Sequence, residues 1–275
     1  MTQIPTDPST KAGDATPDAR SQEVLPDVAY QRIVMVNVVF LGDPQAADAP
    51  WVLVDAGLPH SGGAIIKAAE ERFGPRAPKA IILTHGHFDH VSALEKLREH
   101  WPETPVYAHR LEKPFLDGTT PYPPPSPNAG GGLMARLSPL YPRKPIIVPG
   151  LKLLPDDGSV PGMPEWRWVH VPGHSPGQVA LWRLNDHTLL SADAIITTDQ
   201  SSATAVAAQK VEIHGPPTYF TPDWEAARES VRRLAVLRPQ TLIAGHGKAL
   251  RGDEIRIDLD RLARDFDQVA RPPRK

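Results

Sequence analysis

The sequence predicts an α+β fold with one large domain over residues 29–270. Short runs dense in Val, Ile and Leu recur along the chain, and apolar residues at helical spacing stand among them in both halves. A composition of 40% hydrophobic and 23% charged residues, with a formal net charge of −2, is that of an ordinary globular protein of 275 residues.

Residues 1–28 carry Pro5, Pro8, Pro17 and Pro26 among Asp, Thr, Ala and Ser without an apolar period, which predicts a flexible arm. Tyr30 to Leu41 and Trp51 to Val54 read as strands joined across Gly42-Asp43-Pro44. Ser61 to Phe73 spaces Ile65, Ile66, Ala69 and Phe73 as one helix face, and Gly74-Pro75 stops it. Ala80 to Leu83 reads as a buried strand. Ser92 to Trp101 follows as a helix with Leu94, Leu97 and Trp101 inward, and Pro105 to Ala108 as a strand. Residues 111–145 break the rhythm with Pro121, Pro123, Pro124, Pro125, Pro127 and Gly130-Gly131-Gly132. An insertion of that length is either a cover over a pocket or a surface excursion with a small core of its own. Strands are expected again at Glu165 to Val171, Gln178 to Leu184, Thr188 to Ala192 and Thr241 to Ala244. Pro222 to Leu237 reads as a helix with Thr221 as N-cap, and residues 253–269 as a last helix.

Composition also narrows the function. The chain has no cysteine, so there is no disulfide and no thiolate nucleophile, and any metal must be held by nitrogen and oxygen. The amino terminus is polar and acidic and no apolar run reaches roughly 18 residues, so a cytoplasmic protein that does not enter a membrane is expected. A near-neutral balance without basic clusters argues against nucleic acid as a partner. A small-molecule substrate is expected, with a homodimer as the candidate assembly.

The chemistry concentrates in Thr84-His85-Gly86-His87-Phe88-Asp89-His90, directly after the strand at Ala80 to Leu83. Three imidazoles and a carboxylate on a loop leaving a rigid strand suit zinc and related divalent ions. Such a pattern arises by chance on the order of once in a thousand chains of this composition. Three further candidates stand where strands end: His174 in Pro172-Gly173-His174-Ser175-Pro176-Gly177, Asp193 after Ala192, and His246 in Gly245-His246-Gly247. Five histidines and two carboxylates exceed what one four-coordinate zinc uses, whereas two ions roughly 3.5–4 Å apart would use all seven.

In these residues, and in their order over roughly 30 to 250, the chain resembles the metallo-β-lactamase-fold hydrolases. The match covers Asp55 in an Asp-x-Gly stretch, the His-x-His-x-Asp-His motif at 85–90, His174, Asp193 and His246. The resemblance implies an αββα sandwich of two mixed β-sheets flanked by helices. It implies that His85, His87 and His174 bind one ion, that Asp89, His90 and His246 bind a second, and that Asp193 bridges them. Asp55 would orient the ligand loop without touching metal. Two divalent ions, zinc first with iron or manganese as alternatives, would share a hydroxide that attacks a carbonyl, with Asp89 able to take a proton for the departing group.

Substrate is less constrained, since the family includes β-lactamases, glyoxalase II-type thioesterases, lactonases, ribonucleases, sulfur dioxygenases and flavodiiron proteins. The absence of cysteine argues against the cysteine-ligated lactamases, the lack of a basic surface against the ribonucleases, and the lack of room for a flavin domain against the flavodiiron proteins. A small ester, lactone or thioester with an apolar portion remains, with Phe115, Tyr122, Leu133, Met134 and Leu137 as an apolar wall and His214 as a further substrate contact. Against the lactonase reading, Ile196 stands where some lactonases place a tyrosine three residues after the bridging aspartate. A mononuclear iron dioxygenase acting on a persulfide, a β-lactam-hydrolysing member and a non-catalytic binding module are the alternatives. The remaining histidines, His60, His100, His109 and His187, are expected at the surface, and His170 in strand packing.

Overall fold

The computed structural model describes residues 4–5, 11–12, 20–46, 48–126, 138, 146–199 and 211–272. In chain order the first strands are β1 (Ile4–Pro5), β2 (Lys11–Ala12), β3 (Gln22–Leu25), β4 (Val28–Ile33), β5 (Val36–Leu41) and β6 (Val52–Val54). Helix α1 (Gly62–Phe73), strand β7 (Ala80–Ile82), helices α2 (Phe88–Val91) and α3 (Leu94–His100), strand β8 (Val106–Ala108) and helix α4 (Lys113–Leu116) follow. Then come β9 (Lys152–Leu153), β10 (Ser159–Val160), β11 (Met163–His170), β12 (Val179–Arg183), β13 (Thr188–Ala192) and β14 (Glu212–Ile213). Helix α5 (Trp224–Val236), strands β15 (Thr241–Ala244) and β16 (Leu250–Arg251), and helices α6 (Glu254–Arg264) and α7 (Phe266–Val269) complete the order.

These elements divide into two compact units. The first comprises Asp14–Tyr122 and Lys144–Arg167, the second Met1–Gly13, Pro123–Arg143 and Trp168–Lys275. In the first unit a mixed sheet runs in the order β3-β4-β5-β6-β7-β8-β9. Pairing is antiparallel as far as β6 and parallel from there on. Every residue of β4, β5, β6 and β7 is buried, as expected for strands that read as near-continuous apolar runs. Helices α1 and α3 bury Ile65, Ile66, Ala69, Phe73, Leu94 and Leu97 in one core with Phe40, Leu53 and Ile81. Trp51 is the keystone of that core. Its ring stacks on Phe73 at 4.5 Å and meets Trp101 edge-on at 5.5 Å, while its indole N–H donates to the Arg76 carbonyl at 3.0 Å.

The second unit carries its own mixed sheet. Strands β12 and β13 pair antiparallel, β13 and β15 parallel, and β15, β16 and β2 antiparallel. Its core is built by Val171, Ala180, Leu189 and Leu242 with Val231 and Leu234 of α5 and Leu259 and Leu262 of α6. In each sheet parallel pairing places strand ends next to one another: Asp55 and His85 stand beyond β6 and β7, Asp193 and His246 beyond β13 and β15. Among the described residues no helix is long and apolar enough to cross a membrane.

Several expectations are corrected. Tyr30 to Leu41 is two strands, folded as a hairpin in which Val34 takes φ +57° and stands 58% exposed. No Gly, Asn or Asp marks that turn, so the sequence conceals it. Strands β1, β2 and β3 all lie in the stretch expected as an arm; main-chain pairing at an edge needs no apolar period. The last helix is broken in two at Asp265. The helix expected from Ser92 starts at Leu94, after a separate turn over Phe88–Val91.

Thr221 is not the N-cap of α5. Asp223 is, its carboxylate accepting the Ala226 N–H at 2.9 Å. Asp223→Ala should therefore cost about 1 kcal/mol, read as a lower urea midpoint with an unchanged slope. An unaltered midpoint would show that the cap contributes nothing.

Candidate functional site

The first unit supplies four candidate ligands from one loop. Strand β7 hands the chain to Thr84, and the turn α2 then brings Asp89 and His90 round after His87, whose carbonyl accepts the His90 N–H at 2.9 Å. The rings of His85 and His90 lie 4.2 Å apart and those of His85 and His87 4.7 Å apart. The Asp89 carboxylate is 4.0 Å from His90 Nε2. All four side chains are buried.

Behind them stands Asp55, at the end of β6. Its backbone takes φ +62°, a conformation in which a short polar side chain is tolerated. Main-chain bonds from Asp55 N–H to the Ile82 carbonyl (2.9 Å) and from Ala56 N–H to the His90 carbonyl (2.6 Å) fix it there. Its carboxylate accepts the Thr84 N–H at 2.7 Å and the Thr84 hydroxyl at 2.8 Å, and stands 2.8 Å from His90 Nδ1. A carboxylate only accepts, so His90 carries its proton on Nδ1. The Thr84 hydroxyl spends its own proton on Asp55, so at 3.1 Å it accepts from His85 Nδ1. In both rings the lone pair is thereby placed on Nε2, as a metal ligand requires.

The second unit presents the other three. His174 follows β11 on a loop clamped to the start of α5: the Ser230 hydroxyl donates to the Pro172 carbonyl at 2.7 Å, and Asp223 N–H donates to the Gly173 carbonyl at 3.2 Å. His170 Nε2 donates to the Pro176 carbonyl at 2.8 Å, closing the same loop. Thr221, whose hydroxyl donates to the Pro217 carbonyl at 2.7 Å, lies 3.3 Å from His174 Nδ1 and again leaves the lone pair on Nε2. Asp193 leaves β13 through Ala192, at φ +48°. The backbone N–H groups of Asp193 and Ala194 face the Gln178 side chain there: its amide oxygen, turned toward them, lies at 3.2 and 2.6 Å, and the Ala194 N–H also reaches the Ser191 carbonyl at 3.2 Å. His246 follows β15, its carbonyl accepting from the Thr197 N–H at 3.0 Å and hydroxyl at 3.1 Å. One oxygen of Asp193 stands 3.0 Å from His246 Nε2 and 3.3 Å from His174 Nε2.

All seven residues belong to buried His and Asp groups of the kind that hold a metal ion. The donor set fits a divalent metal. Imidazole nitrogens with their lone pairs on Nε2 and carboxylate oxygens suit zinc and, equally, iron.

Phe115 and Tyr122 stand beside His87: the phenol ring lies 4.5 Å from the imidazole and stacks on Phe115 at 4.1 Å. Leu133, Met134 and Leu137 lie outside the described residues, as does most of the insertion expected as a lid. His214 is half-buried with Nε2 3.2 Å from Glu212, and its backbone pairs with Ile196. His60 and His100 are exposed as expected, and His170 is half-buried in β11. His109 is a correction, buried after β8 with Nδ1 accepting the Leu111 N–H at 3.4 Å. Sequence reasoning missed Thr84, Thr221 and Gln178 as supports of the ligands.

The metallo-beta-lactamase superfamily model matches residues 32–246. A protein of Bacillus subtilis (strain 168) named "Probable metallo-hydrolase YflN" is 46% identical over 239 residues, covering 86% of this chain and 90% of its own. Among solved structures, a beta-lactamase domain protein from Burkholderia ambifaria superposes with a TM-score of 0.65 at 21% identity, over 93% of this chain and 80% of its own. TTHA1623 in a di-iron-bound form gives a TM-score of 0.52 at 26% identity, over 88% of this chain and 98% of its own. Two mixed sheets with flanking helices are the arrangement the sequence resemblance implied, and the fold matches. From its first buried strands to its last candidate ligand, the chain belongs to the metallo-beta-lactamase superfamily.

Proposed function

We propose that the chain is a binuclear metal-dependent hydrolase of a small ester, lactone or thioester. His85, His87 and His174 hold one ion, Asp89, His90 and His246 hold a second, and Asp193 serves both. The carrying observation is the Asp55 carboxylate. It accepts a hydrogen bond from His90 Nδ1 directly and reaches His85 Nδ1 through the Thr84 hydroxyl, so one buried group orients a ligand of each proposed ion. Membership of the superfamily, and a relative named as a metallo-hydrolase, support the reading.

When bound, divalent ions lower the pKa of water toward neutrality and polarise a carbonyl. The protein's own part is orientation. Asp55, Thr84 and Thr221 hold three imidazoles by Nδ1, and Gln178 and Thr197 hold the backbone of the Asp193 and His246 loops. In this reading Asp89 takes a proton for the departing group, and Phe115, stacked on Tyr122, forms with it an aromatic wall for the apolar part of a substrate. The partner is a small molecule rather than nucleic acid or membrane, and the working assembly is a homodimer in the cytoplasm.

Zinc is the proposed metal. Iron is the second reading, favoured by the relative solved in a di-iron-bound form. Stripping the full chain with a chelator should abolish turnover across a panel of generic esters, thioesters and lactones, and zinc should restore it. Oxygen consumption with a persulfide by an iron-loaded sample that leaves the panel untouched would replace the hydrolase reading with a dioxygenase.

A further inference from the structure

Glu112 is completely buried, on the loop between β8 and α4, 26 residues along the chain from Gly86 of the ligand motif. A buried carboxylate is costly unless its oxygens are occupied by donors. Here one donor comes from the metal-ligand turn itself and another from Tyr122. Glu112 Oε2 accepts the Gly86 N–H at 2.9 Å and also the hydroxyl of Tyr122. The Tyr122 oxygen in turn lies 2.8 Å from the same Gly86 nitrogen. One amide is therefore gripped by a carboxylate and a phenol at once.

That amide belongs to the peptide joining His85 to Gly86, so its orientation sets the directions in which the two flanking imidazoles leave the backbone. The residue between them has to be glycine for the grip to close. A Cβ at position 86 would lie 2.6 Å from the Tyr122 oxygen and 2.9 Å from Leu116 Cδ2. The phenol ring is held from the other side by its stack on Phe115, at 4.1 Å and 15°. It also faces the His87 ring at 4.5 Å.

We infer that Glu112 and Tyr122 are positioning residues that set the spread of the His85-Gly86-His87 turn, and with it the affinity and coordination geometry of the ion that the turn holds. The inference rests on the reading of His85 and His87 as ligands. It makes Glu112 and Tyr122, the opening of the long insertion, part of the metal-binding apparatus as well as of a substrate wall.

The test is a cobalt(II) titration of the metal-stripped full chain, followed by visible absorption, with the melting temperature of each metal-free variant as a check on folding. Glu112→Ala should weaken cobalt binding about 10-fold or more and shift the absorption bands, the scale expected for groups that orient metal ligands. Glu112→Gln keeps a carbonyl oxygen for the Gly86 N–H and should rescue binding to within roughly 3-fold of the parent. Tyr122→Phe, which removes only a hydroxyl, should weaken it in the same direction by roughly 3-fold. Parent affinity and parent bands in Tyr122→Phe and in a folded Glu112→Ala overturn the inference, as does a lowered melting temperature with cobalt binding intact. Should Glu112→Ala fail to fold, Tyr122→Phe decides alone. A parent chain that takes up no cobalt overturns the metal reading itself, and this inference with it.

Discussion

Asp193→Ala should lower kcat/KM for the substrate the chain hydrolyses by on the order of 10³-fold or more. A single buried carboxylate oxygen stands 3.0 Å from His246 Nε2 and 3.3 Å from His174 Nε2, so the substitution withdraws a negative charge from two imidazoles together. Metal stabilisation of developing charge contributes several kcal/mol to such reactions, and each 1.4 kcal/mol is a factor of ten. On the proposed two-ion reading the loss should fall on kcat as well as KM, because a carboxylate shared by two ions would matter most as charge develops. His60→Ala, at an exposed position remote from any ligand in sequence, is the control and should leave the rate unchanged. An Asp193→Ala variant within tenfold of the parent would refute the role given to that carboxylate.

The second large effect is on stability. Gly173 takes φ +135°, and a Cβ there would lie 2.5 Å from both the nitrogen and the Cα of Ala227, inside helix α5. Neither atom belongs to a flexible side chain, so the helix or the loop must move. Gly173→Ala combines overpacking of about 1–3 kcal/mol with backbone strain of about 1–3 kcal/mol. A loss of about 3–5 kcal/mol in urea unfolding is expected, together with weaker metal uptake because His174 is the next residue. A loss below about 0.5 kcal/mol would mean that the loop is far more compliant than its three clamps, from Ser230, Asp223 and His170, imply.

How much of this was legible beforehand depended on whether the chemistry demanded a residue type. Metal coordination does: His85, His87, Asp89 and His90 fall within six residues, and few residue types supply such donors, so the loop announced itself. His174, Asp193 and His246 are singly unremarkable, and became readable only through their order and their positions at strand ends. Asp55 came from the same resemblance, and the geometry supplied its reason. The supports left no mark, because a hydroxyl or amide that holds a ring nitrogen or a backbone N–H can come from many places in the chain. Thr221 was even misread. A Thr before Pro222 has the pattern of an N-cap, yet Asp223 caps the helix and Thr221 faces His174. Glu112 lies on an irregular loop, where a charged residue ordinarily means solvent. In the fold, apolar density located the strands, whereas the Val34 hairpin carried no turn residue and the two-residue strands β1 and β2 are shorter than any pattern.

The central claim is that seven side chains serve two ions. Elemental analysis of the purified full chain, beside a His174→Ala and a His90→Ala variant, tests it most directly. About two ions per chain in the parent, falling in each variant, is the predicted result. One ion or none in a fully active parent, or a count that neither substitution changes, would contradict it.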